Sequence, residues 1–65
     1  MFTLGAVYAP RRGRYARRPR RLLRHTHDSL LPGGRVTVAI LPSGDERPMT
    51  GKDWAAWAGE EVEPG

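Results

Sequence analysis

Apolar and polar positions alternate most clearly over residues 35–41 (RVTVAIL), where Val36, Val38 and Ile40 interleave with Thr37, Ala39 and Leu41. A period of two is the pattern of a strand with one face turned inward. Turn signals bound it on both sides: Leu31-Pro32-Gly33-Gly34 before and Pro42-Ser43-Gly44-Asp45 after. Residues 46–50 return as a short strand. Pro48 has no N–H to give a ladder, so that strand is expected at a sheet edge. Residues 2–9 (FTLGAVYA) read as a first strand ending at Pro10. Pro10-Arg11-Arg12-Gly13 has turn chemistry, and residues 14–18 are expected to come back as a second strand.

The rhythm is less definite over residues 14–25. Arg14, Arg17, Arg18 and Arg21 fall on one helical face, but Pro19 lacks a donor and clashes with the preceding turn, at about 3 kcal/mol in a helix interior. Residues 20–26 are therefore read as extended. A change to helical spacing comes at Thr50. Thr50 and Asp53 stand three apart before an apolar run, an approximate capping box, and Trp54, Trp57 and Ala58 then share a face. The helix is expected to end near Gly59. Glu60, Glu61 and Glu63 follow where the helix dipole disfavours negative charge, which predicts a frayed acidic tail over residues 60–65.

These elements predict an α+β, mainly β, fold: a small, strongly bent sheet or barrel with a short C-terminal helix packed on it. The 65 residues make one small domain. A chain of this length buries about 60% of the surface it exposes when unfolded, so its core is marginal. With no cysteine, neither disulfides nor thiolate zinc sites can staple it. Stability has to come from the apolar core, a partner or self-association.

Charge divides the chain. Residues 1–27 carry Arg11, Arg12, Arg14, Arg17, Arg18, Arg20, Arg21 and Arg24 and no acid, while residues 28–65 carry Arg35, Arg47 and Lys52 against seven acids. The net charge of +4 therefore hides halves of +8 and −4. Such asymmetry points to a polyanion-binding segment over residues 10–25, or to two halves that neutralise each other. Arginine outnumbers lysine ten to one, and guanidinium gives phosphate and carboxylate the planar two-pronged contact that ammonium cannot. A GC-rich coding sequence accounts for the bias equally well.

Catalytic chemistry is sparse. His25, His27 and Asp28 are the one cluster with ligand character. On a strand the two imidazoles share a face, but zinc needs three or four protein ligands and nothing else completes the set. Ser29 and Ser43 lie in turn surroundings, and neither a phosphate-cradling glycine loop nor a nucleophile elbow is present. The expectation is a protein that is not an enzyme and needs no metal or cofactor. The spacing of Trp54 and Trp57 fits a core-facing or dimer-interface pair better than a ligand cage.

Several short motifs resemble a family of small bacterial and phage proteins of unknown function that look like SH3-type barrels. They are Tyr8 and Gly13 in YAPRRG, Tyr15, Arg24-His25-Thr26, the strand VTVAIL, Arg47-Pro48-Met49 after a glycine turn, and Trp54 beyond it. Two departures are visible. TGKD separates the Arg-Pro pair from its aromatic, and His27 and Asp28 replace an acidic pair. The resemblance covers residues 5–54 and implies a small SH3-like barrel and no particular activity.

The arginine segment carries the functional expectation. Arg11, Arg12, Arg14, Arg17, Arg18, Arg20, Arg21 and Arg24 can neutralise phosphates, with Tyr8 and Tyr15 available to stack on exposed bases. The first reading is a small non-enzymatic protein that binds RNA or unspecific DNA. The second is a protein-interaction module, perhaps phage-encoded, docking on an acidic host surface, with a homodimer allowed. The third is a solvated basic face balanced by the acidic tail. No uncharged stretch is long enough to span a bilayer, and the apolar start precedes its charges instead of following them, the wrong order for a secretory signal. A cytoplasmic protein with no membrane partner is expected.

Overall fold

The structure, a computed structural model, describes residues 2–12 and 18–62. The expected second strand at 14–18 falls almost wholly outside them. The chain order is β1 (Val7–Pro10), β2 (Arg20–Thr26), β3 (Arg35–Ile40), β4 (Asp45–Thr50), α1 (Gly51–Trp57) and β5 (Ala58–Val62). The five strands form one antiparallel sheet in the order β4-β3-β2-β1-β5. It is open, with β4 and β5 as its edges. The protein is thus small and mainly β, with one short helix near the C-terminus.

Val36 and Val38 of β3 bury on one face of the sheet with Leu22 and Tyr8, and Trp54 and Ala58 cover them. Phe2, Ala6, Met49 and Trp57 pack around that cluster. A bulge in β2 sets which side chains reach this face. Leu22 lies opposite Val38 while Arg24 lies opposite Thr37, so Leu23 is an extra residue. Strict alternation would carry Arg24 onto the core side after Leu22. The bulge resets the phase, leaves Arg24 exposed and brings His25 into register with Val36.

Trp54 is the centre of the core at 2% exposure. Phe2 and Tyr8 meet it edge-on with centroids 5.5 Å away, and Trp57 stacks on it at the same spacing. Such aromatic arrangements add to plain area burial. Trp54 Nε1 has no acceptor among the described residues. The tight docking of α1 explains Gly51: a Cβ there would collide with the Gly33 carbonyl oxygen, and Gly51 N–H donates to Gly34 O at 2.8 Å.

Thr50 caps the helix as its spacing predicts. Its Oγ1 accepts from Asp53 N–H at 3.0 Å, and its own backbone is extended. Thr50→Ala is expected to lower stability by about 1 kcal/mol, the usual cost of a lost cap. A thermal melt unchanged from the parent would refute that assignment.

Two expectations need correction. The frayed tail is wrong where it can be seen: the helix ends at Trp57, and Ala58–Val62 form β5 along β1, with Val7 opposite Val62 and Tyr8 opposite Glu61. Pairing energy from β1 overrides the poor strand propensity of Ala-Gly-Glu-Glu. Gly59, read as a helix weakener, instead permits close approach, since a Cβ there would lie 2.8 Å from Arg11 Cα. Residues 63–65 lie outside the described part. The first strand is also shorter than expected. Residues 3–6 turn at Gly5, whose φ of +86° suits glycine, and only Val7–Pro10 pair.

Candidate nucleic-acid interface

Strands β1 and β2 are joined by residues 11–19, a nine-residue connection with five arginines and no acid. Tyr8 lies opposite Arg20, Arg20 opposite Ile40, and Ile40 opposite Asp45. The connection therefore leaves the sheet at the end where the β3–β4 turn sits, and Leu41 N–H donates to Pro19 O at 2.9 Å. The C-terminal end of α1 reaches the same place. Arg11 N–H donates to Trp57 O at 2.7 Å, and the Arg11 guanidinium donates to Ala55 O at 3.0 Å and Ala58 O at 3.3 Å. A cation on the last carbonyls of a helix is favoured by the dipole and satisfies acceptors that the helix leaves open.

The six described arginines of the first half do different things. Arg11 caps the helix end. Arg21 donates to Gly5 O at 2.7 Å, holding the turn before β1. Arg24 pairs with Glu46 at 3.3 Å across the exposed face of the sheet, a contact worth little in water. Arg20 is half-buried. Its guanidinium lies over the Trp57 ring at 4.6 Å and reaches Met49 Sδ at 3.1 Å. Burial first, and then the charge of Arg47, lower its pKa from the ordinary arginine value. A base whose folded pKa is lowered is charged at a cost in the fold throughout neutral pH, and that cost is relieved only as pH rises through the lowered value toward the ordinary one. Arg12 and Arg18 are exposed, and no hydrogen bond or ion pair holds either among the described residues. Arg14, Tyr15 and Arg17 lie outside the described part, and Tyr8, expected to stack on bases, is instead buried in the core beside Trp54.

Arg47 is what sequence reasoning missed. Its register with Val38 and Leu22 puts it on the same face as Arg20. The period-two pattern of residues 46–50 held that signal, but Pro48 drew the reading to the sheet edge instead. Asp28 accepts from Leu30 N–H at 2.9 Å and pairs with Arg35 at 3.4 Å. The His25 ring nitrogen Nε2 donates to Gly33 O at 2.9 Å. Both groups are thereby engaged in the β2–β3 connection. Ser43 donates to Ile40 O at 3.2 Å and accepts from Asp45 N–H, which ties the β3–β4 turn. Among the described residues no three metal-ligating side chains cluster, and no helix is long and apolar enough to cross a membrane.

The tryptophans offer little to a base. Trp54 is buried, and Trp57 is stacked on Trp54 and covered by Arg20. That leaves the π surface of both rings engaged within the protein. Among the described residues the acids of β5 form no ion pair with an arginine: Glu61 accepts from the Tyr8 hydroxyl at 3.4 Å, and the ion pairs join Arg24 to Glu46 and Arg35 to Asp28.

No protein-family model, curated protein or solved structure matches this chain.

Proposed function

We propose that the protein is a non-catalytic nucleic-acid binder that grips RNA or DNA by its phosphates, without reading sequence, at the end of the sheet where β1 passes into β2. One observation carries this reading: five arginines and no acid are concentrated in the nine residues of that single connection. The rigid part of the fold supports it, because Arg11 and Arg20 are held by α1 while Arg12 and Arg18 point their charge to solvent. Electrostatic contacts of this kind position a strand and carry no base information.

The test is a binding titration against salt. With about six arginines on duplex phosphates, log K falls against log salt with a slope near −5, about a thousandfold between 50 and 200 mM. A labelled single strand should give a shallower line, about −4. Failure to bind either strand form at low salt overturns the proposal. A protein captured from lysate that survives nuclease treatment and competes with the arginine segment would favour the interaction-module reading instead.

A further inference from the structure

Strand register places Arg20 and Arg47 on the same side of the sheet. Arg20 stands in the row with Ile40 and Asp45, and Arg47 stands in the next row with Leu22 and Val38. The Arg20 side chain does not stay in its own row. Its Nη1 reaches Met49 Sδ, two residues beyond Arg47 on β4, while its guanidinium lies on Trp57. Arg47 and Met49 alternate onto the same face of β4. The Arg20 head group therefore passes alongside Arg47, between the edge strand and the helix.

Like charges brought together cost energy, and the lowered pKa of Arg20 registers both its burial and its neighbour. Among the described residues neither guanidinium has a carboxylate within ion-pair distance. Glu46 pairs with Arg24 on the opposite face, and Asp45, on the same face two residues before Arg47, makes no ion pair with either arginine among the described residues. The thioether of Met49 is a weak acceptor, so the Arg20 fork keeps donors to give.

We infer that Arg20 and Arg47 form a site for a tetrahedral oxyanion, a phosphate group carried on a nucleic-acid strand or free in solution. Two planar forks on one face suit a tetrahedral group, whose several oxygens can accept from both at once. A phosphate also removes the repulsion between the two cations. Trp57 holds Arg20 from below, so one half of the site is set before the anion arrives. Because the geometry lies outside the 11–19 connection, the inference stands or falls separately from the nucleic-acid reading.

The test follows the side-chain Nε–H signals of Arg20 and Arg47 by NMR during titration with inorganic phosphate, with sodium acetate at equal ionic strength as comparison. Phosphate is expected to shift both signals, and acetate neither. Arg47→Gln should abolish the Arg20 response and raise Tm in chloride, because it removes the repulsion without touching the core. Arg47→Lys keeps the charge but not the fork, and should weaken the response at least severalfold. An Arg20 shift that persists in Arg47→Gln, or an equal response to acetate, overturns the inference. A short homothymidine oligonucleotide forms the last arm. Shifts with both probes identify a strand phosphate as the occupant, and shifts with inorganic phosphate alone identify a free one. Oligonucleotide binding that leaves both arginines unmoved would sink this site while sparing the proposed function.

Discussion

Trp54→Ala is expected to unfold the protein. Truncating a large buried aromatic costs about 3–5 kcal/mol, and a 65-residue domain has roughly 3–10 kcal/mol of stability in all. Trp54 is also the ring on which Phe2, Tyr8 and Trp57 converge. Its loss removes those contacts together and leaves the apolar side of β2 and β3 uncovered. Far-UV circular dichroism at 25 °C should lose its native signal, or the denaturant midpoint should collapse toward zero. Trp54→Phe is the informative control. It keeps an aromatic in place and discards an indole N–H that has no acceptor among the described residues, so its penalty should be much smaller. A Trp54→Ala, Trp57→Ala double variant that stayed soluble and cooperatively folded would overturn the core assignment and return the pair to a ligand-binding role.

The second large effect is expected on binding. Arg12→Glu together with Arg18→Glu should weaken oligonucleotide affinity on the order of a hundredfold at low salt and lower the magnitude of the salt slope by about two. Thermal stability should stay within about 0.5 kcal/mol of the parent, as for surface changes that break no contact. These two positions are chosen because both are exposed and neither makes a hydrogen bond or ion pair among the described residues. The densest cluster in the sequence also includes Arg20 and Arg21, but reversing those would strip Trp57 of its guanidinium and Gly5 of its donor. A lost signal there would not distinguish binding from unfolding. If the double reversal leaves both affinity and slope unchanged, the connection is not the interface.

The parts of the fold legible in the sequence were those fixed by local chemistry. Alternation wrote β3 directly, Pro48 marked β4 as an edge, and Thr50 announced α1 three residues ahead of the Asp53 amide it caps. Strand β5 was not legible because Ala58–Val62 has no strand signature of its own. Its conformation comes from the free edge of β1, a partner near the other end of the chain. The candidate interface was readable only as a density of charge. Which arginines are committed to the fold depends on a bulge at Leu23 and on where a helix happens to end, and neither is written in composition. Arg47 was passed over for the same reason. Its meeting with Arg20 needs the register of three strands at once.

The pairing of β1 with β5 has a consequence for how the chain acquires its structure. Strands β2, β3 and β4 follow one another and can zip together as local hairpins. The ladder between Val7 and Val62 instead joins residues near opposite ends of the sequence, and such closure is entropically the slowest kind of contact to make. The central meander gains its aromatic cover from Trp54 of α1, and the last strand then adds Ala58 to the same core. During synthesis on a ribosome, the outer edge of β1 stays unpaired until residue 62 has cleared the exit tunnel.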